Sequence, residues 1–189
     1  MKNKIAELAL KQTWVNINSR AVTETAIATV IAVIVPALLA HTPQNQFIVG
    51  PIVNAVLFWV ALRVGLTNAL FIAVIPSLIA IFRGMLPPQA VVIIPFIILG
   101  NCAMILSFVF VGTRHWRVRT GHALFLRVIL ASILKSLIIF LSAWLLLNLP
   151  PVVTFMMSWP QLVTAIVGGI AVFVINRKFT SPRGCHPPA

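Results

Sequence analysis

Apolar residues fill the chain in six long runs, and short polar or basic segments separate them. These runs have no consistently polar face, a pattern typical of helices surrounded by lipid and by other helices. The predicted membrane spans are 21–40, 51–64, 68–82, 91–112, 122–148 and 161–175. Loops are predicted over 41–51, 83–90 and 148–160, and Arg63, Gly65 and Asn68 mark a tight turn between the second and third spans. The pattern therefore predicts an all-α, polytopic membrane protein with six transmembrane helices.

The polar segments divide the chain into three parts. A transmembrane domain is predicted over 21–178. It follows a basic lead, 1–20, which is expected to lie at the membrane interface. A Pro-rich tail, 179–189, is predicted to be disordered. The lead is long and no A-x-A site follows it, so a cleaved signal peptide is not expected.

Basic residues indicate the orientation of the spans. The lead, Arg63, the segment 113–121 and the tail fall on one side of the predicted bundle, whereas Arg83 alone falls on the other. By the positive-inside rule, both termini are predicted to be cytoplasmic. The net charge of +12 is distributed between apolar runs, so it does not indicate a nucleic-acid partner.

The sequence contains few groups that could carry catalysis or hold a metal. Glu7 and Glu24 are its only acids, which disfavours a catalytic carboxylate pair. Cys102 and Cys185 are far apart, and the four histidines have no ligand spacing. Ser132, one turn from Lys135, is the only candidate for a catalytic dyad. We expect no enzyme activity, no cofactor and no metal site.

Lys135 lies near the middle of the fifth predicted span, about 18 Å from either end. An ammonium at that depth costs a few kcal/mol and usually has a function. Glu24 lies only one turn from the cytoplasm, too far away for an ion pair. Asn101 lies at nearly the same depth, and Asn54 lies in the outer part of its helix. These groups predict a polar pocket that opens to the outside.

Three further residues are candidates for the outer end of this pocket. One of them is Arg83, which lies in an outer loop. Gln161 opens the sixth span, and Trp159 precedes it. Trp159 is also typical of an interfacial aromatic belt, and Asn54 and Asn101 could instead join helices. Lys135 itself could donate to backbone carbonyls that Pro76 or Pro95 leaves free.

The first span carries small residues at helical spacing, including Ala28-x-x-x-Ala32. With its six spans and outward polar groups, the chain resembles the substrate-capture S components of energy-coupling factor (ECF) transporters. Several short segments carry a closer likeness: Gly50-Pro51-Ile52-Val53-Asn54-Ala55, Ile75-Pro76-Ser77, Leu86-Pro87-Pro88, Ile94-Pro95-Phe96, Gly100-Asn101, Ala131-Ser132-Ile133-Leu134-Lys135 and Met156-Met157-Ser158-Trp159-Pro160-Gln161-Leu162. Over roughly 25–175, the chain resembles short bacterial membrane proteins that look like S components, some of which are labelled "iron hydrogenase".

This resemblance implies capture of a small micronutrient or cofactor precursor, and a location in the cytoplasmic (inner) membrane of a bacterium. The partners it implies are a coupling transmembrane subunit, which would dock on the stripe containing Ala28 and Ala32, and a pair of cytoplasmic ATPases. Lys135 would favour an anionic or carbonyl-bearing substrate over a bare metal cation. The alternative is an accessory membrane protein beside a hydrogenase or another redox complex, without transport activity.

Overall fold

The described residues of the chain are helical apart from short connections, and they contain no strand. The structure is a computed structural model, which describes residues 19–39, 46–82, 91–114, 121–147 and 149–180. Its helices are α1 (Ser19–Leu39), α2 (Gln46–Arg63), α3 (Leu66–Phe82), α4 (Ile94–Arg114), α5 (Gly121–Leu141), α6 (Pro151–Met156) and α7 (Trp159–Thr180). The predicted all-α class is confirmed.

Five of the predicted spans correspond to helices that are long and apolar enough to cross a membrane. These are α1, α2, α4, α5 with its continuation, and α6 with α7. The apolar part of α3, Leu66–Ile79, is shorter. At about 1.5 Å per residue it covers roughly 21 Å of a hydrocarbon core about 30 Å thick. The chain thus has five or six helices that are long and apolar enough to span a membrane, which indicates a membrane-embedded helical protein.

The connection between α2 and α3 is a tight turn, as the sequence predicted. Both Val64 N and Gly65 N donate to Val60 O, each at 2.9 Å. Gly65 has a backbone φ of 141°, which residues other than glycine rarely adopt. The turn therefore requires glycine, and it places α2 and α3 side by side.

The second helix begins earlier than its sequence predicts. Pro51 was the expected first residue, but α2 begins at Gln46 and contains Pro51. An internal proline removes one backbone hydrogen bond, and the apolar residues Phe47, Ile48 and Val49 still favour a helix in lipid. The amide of Gln46 also donates to Met156 O at 2.9 Å and joins the start of α2 to the end of α6. The described part of the predicted loop 41–51 is therefore helical.

The segment after Lys135 also differs from its prediction. The helix α5 continues as a π-helical turn, Ser142–Leu146. The predicted loop 148–160 contains the short helix α6, which begins at Pro151, a favourable first position for proline. The final helix, α7, runs to Thr180, two residues beyond the predicted transmembrane domain.

The helices enclose two separate groups of buried apolar side chains. The larger apolar cluster joins α1, α2, α3, α4, α5 and α7, and includes Phe58, Met104 and Val128. The smaller apolar cluster lies near the start of α4 and the end of α5, and includes Ile93 and Ile139. In the larger cluster, the rings of Phe58 and Phe108 pack edge to face with centroids 5.0 Å apart.

Candidate functional site: a buried polar layer around Lys135

Buried polar side chains lie between the two apolar clusters, and we call them the polar layer. On α5, Val128 and Ala131 belong to the larger cluster and Ile139 and Ala143 to the smaller one. On α4 the order is reversed, because this helix runs in the opposite direction. Each member of the layer is less than a tenth exposed. The members are Asn54 on α2, Asn101 on α4, Ser132, Lys135 and Ser136 on α5, and Thr164 on α7.

Lys135 makes a hydrogen bond to the side chain of Asn54 on α2. Its Nζ donates to Asn54 Oδ1 at 2.6 Å. Lys135 is only 3% exposed and Asn54 only 1% exposed, so the pair is removed from both lipid and solvent. The acceptor is a neutral amide rather than a backbone carbonyl near Pro76 or Pro95. The positive charge of Lys135 is thus hydrogen-bonded but not neutralised by this partner.

The early start of α2 explains why Asn54 reaches Lys135. Because α2 begins at Gln46, Asn54 lies about 12 Å along the helix instead of one turn inside it. The sequence placed Asn101, not Asn54, at the depth of Lys135. Asn101 is buried in the same layer, but the hydrogen bond to Nζ comes from Asn54.

Glycines allow the helices that carry this layer to approach closely. A Cβ on Gly168 of α7 would lie 2.6 Å from Pro51 O and 2.9 Å from the Cβ of Asn54. A Cβ on Gly50 of α2 would lie 2.8 Å from the Cβ of Thr164. Small residues at such crossings are characteristic of packed membrane helices. They bring α2 against α7 and fix the position of Asn54.

A similar contact joins α4 to α5 beside Lys135. A Cβ on Gly100 would lie 3.4 Å from Lys135 O and 3.0 Å from Cγ1 of Ile139. Gly100 precedes Asn101 directly, so this contact brings Asn101 to the helix that carries Lys135. The polar layer is therefore assembled from four helices, of which three contribute charged or amide side chains.

Three polar atoms of the layer have no hydrogen-bond partner within the described part of the chain. They are Asn101 Oδ1, Ser132 Oγ and Ser136 Oγ. Such groups are uncommon, because a buried polar atom without a partner costs about 1–3 kcal/mol. By contrast, Thr164 donates to Gln161 O and Ser142 donates to Ile138 O. The unpartnered atoms are thus concentrated around Lys135 on α5 and α4.

Two of the remaining predicted site residues, Trp159 and Gln161, make contacts other than with this hydrogen-bonded pair. Trp159 is 47% exposed and packs between Phe47 and Phe155. Its ring centroid lies 6.0 Å from that of Phe47 and 5.8 Å from that of Phe155. Gln161 is half-buried, and its amide contacts Met157 Sδ at 3.9 Å. Arg83 lies outside the described residues.

Ala28 and Ala32 lie in the larger apolar cluster, 5% and 0% exposed. Their small side chains allow α1 to pack closely on its own neighbours α2 and α3. In this structure, α1 presents Ile27 and Ile34, but not these two alanines, to its surroundings. The two alanines that the resemblance assigns to the coupling-subunit interface are therefore buried in this structure, and the docking itself stays a prediction.

Sequence reasoning missed Thr164 and the glycines at the α2–α7 contact. The adjacent pair Gly168-Gly169 in the middle of an apolar span was the available signal, because glycine is costly within a helix unless close packing requires it. Among the described residues, no group of three or more His, Cys, Asp or Glu side chains could hold a metal ion. The groups that could contact a ligand are therefore the ammonium, amides and hydroxyls of the polar layer.

Comparisons with protein families, with curated proteins and with solved structures give no match for this chain.

Proposed function

We propose that the protein is the membrane-embedded substrate-binding component of a transporter of the ECF type, and that its polar layer binds a small molecule. The observation that carries this proposal is the buried ammonium of Lys135, whose hydrogen-bond acceptor is a neutral amide and whose neighbouring polar atoms lack partners. Such groups are retained in membranes mainly where they act on a substrate or an ion.

The energetics support a missing partner. Burying an ammonium costs several kcal/mol even after the protein relaxes. A hydrogen bond to a charged group contributes about 1.5–3 kcal/mol, so Asn54 offsets only part of that cost. The three unpartnered oxygen atoms add a further cost. A bound molecule that contacts Lys135 and these atoms would remove much of this penalty.

The burial of the layer fits capture rather than a permanently open pore. Lys135 and Asn54 are almost fully enclosed, so a substrate reaches them only if helices separate. The layer draws on α2, α4, α5 and α7, and a displacement of any of these helices would open it. We propose that the structure corresponds to a closed form, and that the outer ends of α2 and α7 separate to admit substrate.

The transporter proposal includes six spans, cytoplasmic termini, and the cytoplasmic membrane of a bacterium as its location. A coupling transmembrane subunit and an ATPase pair would provide the energy. Because Ala28 and Ala32 are buried, the coupling subunit would have to contact other residues of this chain. The exposed apolar face of α1 next to them, with Ile27 and Ile34, is compatible with such a contact and equally with lipid.

Native mass spectrometry of the purified protein tests the proposal. We expect one small molecule per chain on the wild type and none on a Lys135→Met, Asn54→Leu double variant, which removes both members of the buried pair. Trp159→Phe is the matched control and should retain the molecule, because Trp159 has no described contact with Lys135. An empty wild type that co-purifies with a redox complex would instead support the accessory role.

A further inference from the structure

We infer that the polar layer selects a monoanionic carboxylate and that Asn54 sets this charge preference. The inference rests on the proposed function, since it names the chemical class that the same site would bind. Lys135 uses one of its donors on Asn54, and the other donors and acceptors beside it determine which ligand the layer can bind.

The available groups on α5 are mainly donors. An ammonium has three N–H donors, and Lys135 uses one of them on Asn54 Oδ1. Ser132 and Ser136 each carry a buried hydroxyl whose oxygen has no partner in the described chain. Ser132 lies three residues before Lys135 and four before Ser136, so it is a neighbour of each on the helix surface. Lys135 and Ser136 are adjacent in sequence and point about 100° apart, but both are buried.

These donors match the acceptors of a carboxylate. Two remaining N–H groups and two hydroxyls give about four donors, and an ionised carboxylate has about four lone-pair sites. Hydrogen bonds between charged groups are shorter and stronger than neutral ones, more so in a site closed to water. Asn101, whose Oδ1 lacks a described partner, offers an amide for a neutral polar part of the same molecule.

Charge balance points to a single negative charge. Lys135 is the one cationic member of the layer. Arg127 lies two turns earlier on α5, about 12 Å along the helix axis. A monoanion would neutralise Lys135, whereas a dianion would bury an additional charge without a partner. A cation would be repelled by the ammonium.

Asn54 is central to this selection because its side-chain oxygen already lies 2.6 Å from Nζ. An aspartate at this position has nearly the same shape but carries the negative charge that we assign to the ligand. Asn54→Asp would therefore form an ion pair with Lys135 inside the protein. The variant should fold at least as well as the wild type and should lose its affinity for anions.

Thermal denaturation in phosphatidylcholine nanodiscs tests the inference with two probes of similar shape, acetate and acetamide. We expect acetate to raise the Tm of the wild type with increasing concentration, and acetamide to raise it much less. Asn54→Asp should respond to acetate with an affinity lower by about tenfold or more. Asn68→Asp, the same substitution near the start of α3 and outside the layer, should respond as the wild type does.

The inference is overturned if acetamide stabilises the wild type as strongly as acetate, if Asn54→Asp responds as the wild type does, or if acetate has no effect. A co-purified neutral molecule that depends on Lys135 would overturn it while leaving the proposed function intact. Loss of the acetate response in nanodiscs that contain phosphatidylserine, whose headgroup carries a carboxylate, but not in nanodiscs that contain phosphatidylglycerol or phosphatidylcholine, would support the same carboxylate chemistry with a lipid headgroup as its source. Loss in phosphatidylglycerol as well would overturn the preference for a carboxylate.

Discussion

The contact between Gly168 and α2 yields the most direct prediction about how the polar layer is held together. In Gly168→Ala the new Cβ would lie 2.6 Å from Pro51 O and 2.8 Å from Ala55 N. Both neighbours are backbone atoms, which cannot rotate away. Ordinary contact begins at 3.4 Å, so α2 and α7 must separate by about 0.8 Å. Such overpacking costs about 1–3 kcal/mol.

The same separation would act on the site. Asn54 Cβ lies only 2.9 Å from the added methyl group, so α2 would carry Asn54 away from Lys135. A shift of this size would lengthen the hydrogen bond from 2.6 Å towards 3.4 Å, where little of its strength remains. We therefore expect Gly168→Ala to lower both thermal stability and ligand occupancy.

Thermal denaturation in detergent, followed by native mass spectrometry, measures both effects. For a globular domain of this size, each kcal/mol corresponds to about 2–4 °C in Tm, and we apply that scale here. Gly100→Ala is the matched control, since its Cβ would meet the Ile139 side chain at 3.0 Å, and that side chain can adjust. It should cost less than Gly168→Ala. If Gly168→Ala is as stable as the wild type, or if the two variants are equally impaired, the reasoning about this helix contact is wrong.

Three further predictions concern the buried pair, the aromatic group and the topology. Asn54→Leu should lower stability by about 1.5–3 kcal/mol, because it leaves the ammonium without its acceptor. The double variant that also carries Lys135→Met should recover or exceed wild-type stability. A double variant less stable than Asn54→Leu would contradict this. Trp159→Leu should lower stability by about 0.5–1.5 kcal/mol for each of the ring contacts with Phe47 and Phe155, and it should leave ligand affinity unchanged. A tenfold loss of ligand affinity in titration calorimetry would place Trp159 in the site. Reporter fusions to both ends should report the cytoplasm, because the proposal includes six spans; ends on opposite sides would mean that α3, whose apolar part is short, does not cross the membrane.

The sequence predicted the elements well where a local signal dominated. Apolar runs identified the helices, and Gly65 identified the turn, because a positive φ is nearly specific to glycine. Pro51 misled the prediction of α2, since proline is favoured at a helix start but is also tolerated inside a membrane helix. The helix α6 was missed because a run of Pro, Met and aromatic residues is typical of a loop.

The polar layer could be predicted only in part. Lys135 was identifiable because a charge in an apolar run is costly, and Asn54 and Asn101 followed as nearby polar groups. Which of them would accept its hydrogen bond depended on where α2 begins. Ala28 and Ala32 show a second limit, because small residues favour close packing without specifying whether the partner is the same chain or another. These outcomes depend on three-dimensional packing, which a spacing pattern does not encode.

The most direct test of the central claim is an experimental structure of the protein purified with its bound molecule. We predict density for a non-protein group within hydrogen-bonding distance of Lys135 Nζ, in contact with Ser132 or Ser136. A bound molecule elsewhere, with Lys135 still contacting only Asn54, would contradict the assignment of the polar layer as the substrate site.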